Sequence, residues 1–362
     1  MPMSSPPPVI EPPSTALLMQ LVSPGFRTDP PEIIHPERIP PSVSDACAAQ
    51  RQRWFAPRPV AVWLLHDVFV AFDGLVFDSA GALYRPSITQ HGAAEIAWAT
   101  EQVQAAIAGN PIPSHDLPLV LGKKRGAGNH GHWLMEMLPA LHLVLDRLRD
   151  DRIGVLVHDV SDPQLGELMQ TSLRRVGVAD TRVRVAGPWP VRVRTLILVD
   201  GLTVHGTYMS PLVRDCHERL LHGVTGLGHA RVFIARGARY QRNFAEFARV
   251  EALAAEQGFH ILQASRLTLL EQLAAVRDAR VVAGAMGAAM TSLAFARTPA
   301  QALLFAGAAM PDTFFWFLAT LFGHRYREIR CRQAADPSGD ALSYNRDLLI
   351  DDDELRRHLA GV

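Results

Sequence analysis

The stretch LPLVLGKKRGAGNHGHWLMEMLPALHLVLDRLRDDRIGVLVH, residues 117–158, carries the pattern that decides the fold. The apolar run Leu117–Leu121 is typical of a buried strand, and Gly122–Gly131 is a glycine-rich, basic loop. Leucines then recur at intervals of three and four, which predicts a helix over His132–Arg149. Ile153–His158 is the next apolar run. Strand, helix and strand in succession predict a parallel sheet covered by helices.

This alternation continues toward the C-terminus. Pro163–Val176 has the periodicity of a helix, and Val191–Val199 reads as a further strand. A second round begins at the strand Arg231–Ala235, whose helix is predicted to open at Asn243 with Glu246 as its capping partner. The remaining predicted elements of that round are Phe259–Leu262, Leu267–Arg277, Val281–Ala283, Ala288–Phe295, Ala302–Phe305 and Asp312–Gly323. The chain is therefore predicted to be α/β, with two successive Rossmann-like domains.

The two ends of the chain lie outside this alternation. The start, MPMSSPPPVIEPP, lacks the basic and apolar segments of a secretory signal, so about 15 residues are predicted to form a disordered leader. The proline-rich segment Pro24–Pro41 is predicted to be an extended arm, and Asp351–Leu359 a helix that returns to the first domain. The predicted divisions are a leader and arm at 1–41, domains at 42–215 and 216–335 with a junction near 206–228, and a tail and helix at 336–362.

Short apolar runs near the N-terminus predict antiparallel strands. They lie at Val60–Leu65, Val68–Phe72 and Leu75–Asp78, and are separated by His66-Asp67 and Asp73-Gly74. Asp-Gly between apolar runs is a strong hairpin signal.

Composition excludes several classes of protein. Lys plus Arg and Asp plus Glu both number 36, so no net charge recruits nucleic acid or an anionic bilayer. The longest apolar runs are too short or too broken to span a membrane. The cysteines, Cys47, Cys216 and Cys331, form no zinc-binding pattern, and a reducing compartment is the simpler interpretation.

Three segments follow predicted strands and could carry chemistry. The first contains Asn129, His130, His132 and Trp133, with Glu136 one helical turn after His132. A carboxylate at that spacing can orient the imidazole or act as a base itself. The alternative is a polar helix N-terminus with Trp133 in the core. Zinc-binding helices offer two histidines at a spacing of four, so no metal site is predicted here.

The second segment is a basic loop that contains Arg236, Arg239 and Arg242. Guanidinium groups suit bidentate contact with phosphate, so the loop could hold a diphosphate without a cation. The alternative is a solvated surface loop.

The third segment is the small-residue turn of Gly284, Met286, Gly287 and Ala288, followed by Thr291. A strand, a tight turn and a helix N-terminus can form an anion site from backbone N–H groups. Close packing of strand against helix explains the small residues equally well.

Together, in this order, these segments resemble glycosyltransferase family 61, often associated with capsular polysaccharide synthesis. The resemblance covers roughly Asn129 to Cys331. It rests on Gly128–Leu134 with Glu136 and Pro139, on Ile234–Asn243, on Gly284–Ser292 with Phe295 and Pro299, and on Phe315-Trp316 with Gly323–Tyr326.

The resemblance implies a GT-B fold and inverting sugar transfer without a metal. It places the catalytic Glu136 and His132 in the N-terminal domain, with Asn129, His130 and Trp133 on the acceptor side. The donor, a UDP- or GDP-linked sugar, would be bound in the C-terminal domain by Arg236, Arg242, Gly284, Met286, Gly287, Ala288 and Thr291. The acceptor would be a polysaccharide or glycan, and no further cofactor is implied.

Two positions depart from the family pattern. The family usually has a histidine where this chain has Met286, and tends to have a glutamate where it has Leu304. A catalytically silent homologue that binds glycans or acts as a scaffold is therefore the alternative function, and an α/β enzyme acting on phosphate esters is a third.

Composition and the resemblance also bear on location. The Ala- and Arg-rich composition is typical of bacterial proteins, and the chain lacks the N-terminal anchor of eukaryotic relatives. We predict a cytoplasmic protein that touches the inner membrane only through partners.

Overall fold

A computed structural model describes residues 6–50, 53–126, 128–237, 241–335 and 344–362. The chain forms two compact units. Unit 1 comprises the N-terminal segment up to Gly25 together with Ala56–His205 and Ser210–Leu220, and unit 2 comprises Phe26–Phe55, Gly206–Met209 and Leu221–Val362. These units differ from the predicted divisions, because the segment predicted as an arm contributes to both and the C-terminal tail lies within unit 2.

The main sheet of unit 1 is mixed. Its order is Val9–Ile10, Leu83–Tyr84, Leu75–Phe77, Arg58–Ala71, Val191–Asp200, Leu119–Gly122, Gly154–His158 and Val183–Ala186, with Leu17–Ser23 along Arg58–Ala71 and Ser114–His115 along Val191–Asp200. The strands from Val191–Asp200 to Val183–Ala186 are parallel, as the alternation predicts. Leu119, Val120 and Leu121 are buried, as in a parallel strand covered on both faces.

The helices of unit 1 follow its strands. The α-helices are Ala93–Ile107, His130–His132, Leu138–Leu148, Pro163–Arg175 and Arg214–Leu221, with a π-helical turn at Trp133–Met137. Single 3₁₀ turns lie at Ser14–Ala16, Arg85–Ser87, Asp180–Arg182 and Pro211–Val213, and Thr203–Val204 is a further short strand. The predicted helix at 132–149 is thus present, but it is interrupted by the π turn.

Two predictions for the N-terminal part are wrong. Val9–Ile10 lies within the predicted leader but pairs with Leu83–Tyr84 as a strand, while residues 1–5 lie outside the described residues. Arg58–Ala71 is a single strand that continues through the predicted break at 66–67, because pairing with Val191–Asp200 spans it.

The predicted hairpin at Asp73-Gly74 is present. Gly74 has a φ of +92°, and a Cβ there would lie 2.3 Å from the carbonyl oxygen of Lys123. This position therefore requires glycine both for its conformation and for the close approach of the neighbouring chain.

The main sheet of unit 2 is almost entirely parallel. Its order is His260–Gln263, Arg231–Ala235, Val281–Ala285, Gln301–Gly307 and Arg325–Gln333, with antiparallel Leu348–Leu349 and parallel Glu32–Ile34 along the last of these. The helices are Pro41–Gln50, Phe247–Glu256, Leu269–Val276, Phe314–Leu321 and Asp352–Ala360, and Ala288–Phe295 is 3₁₀. Shorter elements are the 3₁₀ turns Pro36–Arg38 and Ala264–Arg266, the paired strands Phe26–Arg27 and Trp54–Phe55, and the strand Tyr208–Met209.

Several elements of unit 2 differ from prediction. The helix predicted to open at Asn243 begins at Phe247, and Glu246 makes no side-chain cap. Part of the predicted arm, Glu32–Ile34, is a strand of this sheet. The helix Asp352–Ala360 packs its Leu355 and Leu359 into the core of unit 2.

Strand order marks where a ligand would bind in unit 2. The first strand of the parallel series, Arg231–Ala235, lies between the second, His260–Gln263, and the third, Val281–Ala285. The chain thus runs from Arg231–Ala235 to a strand on one side and then crosses to a strand on the other side. In open α/β sheets, ligands bind at the carboxyl ends of the strands at such a switch point.

Both units are α/β, as predicted. Among the described residues, none of the helices combines the length and apolar character needed to cross a bilayer.

Candidate active site

Polar side chains follow two neighbouring parallel strands of unit 1, at the edge of the sheet where the carboxyl ends of these strands lie. Lys124 follows the strand Leu119–Gly122, and His205 comes directly after the short strand Thr203–Val204, which follows Val191–Asp200. Because these strands are parallel and paired, their carboxyl ends lie side by side.

Glu136 is the buried centre of a cluster, here called the Glu136 cluster, whose other members, Lys124, His132 and His205, are partly exposed. Glu136 Oε1 lies 2.7 Å from His132 Nδ1 and 2.8 Å from His205 Nδ1. Lys124 Nζ donates to Glu136 Oε2 and, at 3.2 Å, to Thr203 Oγ1. The two imidazole rings stack with centroids 4.3 Å apart. One carboxylate therefore holds two imidazoles and an ammonium group in fixed positions.

The local backbone positions Glu136. Asn129 Oδ1 accepts a hydrogen bond from the Gly131 amide at 2.8 Å and caps the helix start. The widened π turn Trp133–Met137 then carries Glu136, and Pro139 follows in the first turn of the next helix, where its missing N–H is tolerated. Such single π turns are frequent at functional sites.

The environment keeps Glu136 ionised. Burial alone would raise the pKa of this carboxyl group, but hydrogen bonds with His132 and His205 and the charge of Lys124 outweigh burial and hold the pKa well below its usual range. A carboxylate that resists protonation is a weak base but a strong hydrogen-bond acceptor. Glu136 is therefore suited to fix the Nδ1–H form of an imidazole, which makes the other ring nitrogen the proton acceptor.

A cavity of about 300 Å³ opens beside the cluster within unit 1. Lys124, Glu136 and His205 line it, together with polar groups that include Arg85 and Asp200. His205 thus reaches a space that can hold a small polar molecule.

The same cluster offers ligands of the kind that bind metal ions. One atom each of His132, Glu136 and His205 lies within 4.8 Å of the other two. The helical spacing of residues 132 and 136 brings only two of these ligands together, and the third, His205, lies 69 residues beyond Glu136.

In unit 2, three of the residues assigned to donor binding, Arg236, Met286 and Gly287, lie close together. Arg236 Nη1 lies 3.4 Å from the Met286 carbonyl oxygen, and a Cβ at Gly287 would lie 1.5 Å from the same nitrogen. Arg236 follows the strand Arg231–Ala235 and Gly287 follows Val281–Ala285, so the pair lies at the switch point of the sheet.

Arg242 has different contacts. Its Nη1 lies 3.8 Å from Met310 Sδ, and its guanidinium carbon lies 5.9 Å from the ring centre of Tyr344. Asn243, instead of capping a helix, donates from Nδ2 to the Arg236 carbonyl oxygen at 3.0 Å and ties the loop ends together. Arg239 lies outside the described residues.

Other residues assigned to donor binding are packed in the core. Gly284 belongs to the strand Val281–Ala285, where a Cβ would lie 2.7 Å from the Ile234 carbonyl oxygen. The side chain of Met286 is buried, and the buried Thr291 hydroxyl donates to the Ala288 carbonyl oxygen. These three residues are thus closely packed. Ala288 is half-buried at the start of the 3₁₀ helix.

The residues assigned to the acceptor side differ in how far they are buried. Trp133 is 1% exposed and donates to Ser172 Oγ at 2.8 Å, so its side chain is packed in the core of unit 1. Asn129 and His130 are half-buried at the helix start.

Comparison with known families gives a match over the part of the chain that contains most of these residues. Residues 130–303 match the family model described as Glycosyltransferase 61. This segment belongs to glycosyltransferase family 61. The match encloses His132, Glu136, His205, Arg236 and Gly287, and it supports glycosyltransferase activity. No curated protein matches the chain.

Just before the family 61 segment, two lysines follow the strand Leu119–Gly122. Lys123 is buried and its Nζ donates to the carbonyl oxygens of Ala186 and Gly187, at 2.9 and 2.6 Å. The Lys124 amide donates to His158 Nε2 at 3.0 Å. Burial, helped by the charge of Lys123, lowers the pKa of His158 to about 3, so this ring stays neutral and accepts that bond. Lys124 is thus held toward Glu136.

The pH dependence of stability tests the burial of Lys123. Burial lowers its pKa from 10.5 to about 8 in the folded chain. Between those values the unfolded chain binds more protons, so stability increases as pH rises. We expect the unfolding free energy of the wild type, relative to Lys123→Met, to increase by up to about 3 kcal/mol from pH 8 to 10.5. Urea unfolding of both proteins at several pH values measures this difference in unfolding free energy. A difference that does not change with pH would contradict the burial of Lys123.

Proposed function

We propose that this protein is an inverting, metal-independent glycosyltransferase that moves a sugar from a UDP- or GDP-linked donor to a hydroxyl group of a polysaccharide or glycan. The observation that carries the proposal is the Glu136 cluster, which lies beside a cavity at the carboxyl ends of parallel strands and whose His132, Glu136 and His205 belong to the family 61 segment. The proposal includes the GT-B fold class, with acceptor chemistry in unit 1 and nucleotide binding in unit 2. It also places the protein in the cytoplasm, making a cell-surface glycan.

The acceptor hydroxyl is activated in the cavity of unit 1. We assign the role of base to His205, whose ring lines the cavity and whose Nδ1 is held by Glu136. His205 Nε2 takes the proton while the acceptor oxygen bonds to the anomeric carbon. The bond from that carbon to the diphosphate breaks on the opposite face, which inverts the configuration and releases the nucleoside diphosphate. Glu136 stabilises the imidazolium ion that forms.

His132 and Lys124 support this step. His132 stacks on His205 and bonds the same carboxylate oxygen, so it fixes the plane of the catalytic ring. Lys124 binds Glu136 Oε2 and supplies, next to the carboxylate, the positive charge that a metal ion would provide. This is the basis for proposing a mechanism without a metal.

The departing diphosphate is assigned to Arg236 and the turn at Gly287. Both lie at the switch point of the unit 2 sheet, where anionic ligands bind in folds of this type. A guanidinium group can bond two phosphate oxygens and stabilise the charge that develops as the bond breaks.

One observation favours a second candidate function, a silent homologue that binds glycans. Met286 and Leu304 are both buried and apolar at positions where the resemblance implies a histidine and a glutamate. In that case the cavity beside Glu136 would bind a glycan, and unit 2 would not bind nucleotide.

A ligand panel separates the two functions. Thermal shift and calorimetry with UDP, GDP, CMP and their common sugar conjugates are expected to show stabilisation by one nucleotide, because a ligand that binds only the folded state stabilises it. Hydrolysis of the stabilising sugar nucleotide, read as released nucleoside diphosphate, is expected to be unchanged by EDTA. Absence of nucleotide binding would favour the silent homologue, and activity lost with EDTA and restored by Mg²⁺ or Mn²⁺ would contradict the metal-independent mechanism.

A further inference from the structure

A second group of metal-ligating side chains lies in unit 2, apart from the residues assigned to catalysis. His35 lies on the segment between the strand Glu32–Ile34 and the 3₁₀ turn Pro36–Arg38, while Glu354 and His358 lie one turn apart on the helix Asp352–Ala360. One ligand atom from each residue lies within 4.8 Å of the other two. Segments more than 300 residues apart in sequence therefore converge on one point.

The separation of His35 from Glu354 is compatible with two neighbouring ligands of one tetrahedral zinc ion. His35 Nε2 lies 3.1 Å from Glu354 Oε1. Zinc bonds of about 2.0–2.1 Å to nitrogen and oxygen separate neighbouring ligands by roughly 3.3 Å. Among the described residues, His358 Nε2 is buried and has no hydrogen-bond partner. A buried imidazole nitrogen without a partner is costly unless something binds it.

Neighbouring groups orient these ligands. His35 Nδ1 bonds Glu37 Oε1 at 3.1 Å, which leaves Nε2 directed at Glu354. A carboxylate that bonds the outer nitrogen of a ligating histidine is the usual support in zinc sites. Arg38 bonds both Glu354 Oε1, at 2.9 Å, and the Arg330 carbonyl oxygen, at 2.8 Å. The Glu354 carboxylate is thereby fixed in orientation.

The backbone of His35 adds a further sign of a specific role. Its φ of +62° and ψ of +48° place it in the left-handed region, which non-glycine residues rarely adopt. Such conformations are retained where the surrounding structure needs a side chain in one particular position. Here the conformation points the imidazole at the C-terminal helix.

We propose that His35, Glu354 and His358 form a binding site for one zinc ion, or a similar divalent ion that prefers imidazole, with water as fourth ligand. The ion joins the segment 35–38 to the C-terminal helix and so stabilises unit 2. Two imidazoles and one carboxylate select zinc over magnesium or calcium, which prefer oxygen ligands. The positive charge of Arg38 offsets part of the negative charge of Glu354. We therefore expect a lower affinity for zinc than at a site with two carboxylates. This inference does not depend on the proposed function.

The test is metal titration of the full chain in a variant that lacks the other cluster. Glu136→Gln combined with His205→Asn removes that competing site. Calorimetry with Zn²⁺ is expected to show one ion bound per chain and a rise in Tm, with no response to Mg²⁺. Co²⁺ is expected to give the visible absorption bands of tetrahedral coordination.

Substitutions then locate the ion. In that background, His358→Ala is expected to weaken zinc binding at least about a hundredfold, and Glu37→Gln about ten- to a hundredfold through the orientation of His35. His260→Ala, which changes a histidine of the same unit outside the cluster, is the matched control and should leave binding unchanged. Circular dichroism confirms that each variant is folded, and Glu37→Gln, on the surface, keeps the test valid if His358→Ala does not fold.

Two results would overturn the proposal. One is the absence of zinc binding in the folded background variant, and the other is binding that survives both His358→Ala and Glu37→Gln unchanged. Neither result affects nucleotide binding, so failure here is distinct from failure of the proposed function.

Discussion

Replacing His205 by asparagine is expected to lower glycosyl transfer about 10²–10⁴-fold and to leave nucleotide affinity unchanged. The asparagine amide can still donate to Glu136, so the carboxylate keeps a partner, but the ring nitrogen that takes the acceptor proton is lost. Nucleotide affinity should not change because the assigned donor residues lie in unit 2. Initial rates of transfer, or of sugar-nucleotide hydrolysis where the acceptor is unknown, together with calorimetric Kd values, measure both effects.

His132→Asn is the matched control, because His132 bonds the same oxygen of Glu136 but does not line the cavity. Its effect is expected to be smaller than that of His205→Asn. Glu136→Gln should also reduce transfer, since a neutral amide no longer stabilises the imidazolium ion. If Glu136→Gln abolishes transfer while His205→Asn reduces it less than tenfold, Glu136 is itself the base and the assignment to His205 is wrong.

Replacing Arg236 by alanine is expected to weaken binding of the nucleoside diphosphate about tenfold or more. A charge-assisted hydrogen bond contributes about 1.5–3 kcal/mol, and each 1.4 kcal/mol is a factor of about ten in Kd. Isothermal calorimetry with the diphosphate that the ligand panel identifies measures the change. The unfolding free energy should change little, because Arg236 is partly exposed at the end of its strand.

Two further variants make the test specific. Gly287→Ala keeps the charge but places a methyl group 1.5 Å from the present position of Arg236 Nη1, so the guanidinium group must move and affinity should also fall. Arg242→Ala is the control, since Arg242 contacts Met310 and Tyr344 instead of this turn. A loss of affinity in Arg242→Ala but not in Arg236→Ala would reverse the assignment.

Part of the candidate site could be predicted from sequence because it is local. His132 and Glu136 are four residues apart on one helix, and that spacing alone brings their side chains together. Lys124 and His205 could not be assigned in the same way. They reach Glu136 only because the strands Leu119–Gly122 and Val191–Asp200 pair in parallel, although His205 lies 69 residues beyond Glu136 in the chain. Burial likewise depends on contacts between remote segments. For this reason Trp133, Met286 and Thr291 resemble site residues in sequence but are buried in the structure.

The sequence by itself determined the alternation of strands and helices and the turn at Asp73-Gly74, since periodicity and turn chemistry depend on neighbours a few residues away. Only the tertiary structure decided that Val9–Ile10 and Glu32–Ile34 are strands, that Arg58–Ala71 continues through a predicted break, and that Asn243 bonds a loop instead of capping a helix. Short polar or proline-rich segments carry too little local signal, and their conformation is fixed by hydrogen bonds to a distant strand. The position of His205 beside Glu136 has the same origin, because it depends on the pairing of strands that are remote in the chain.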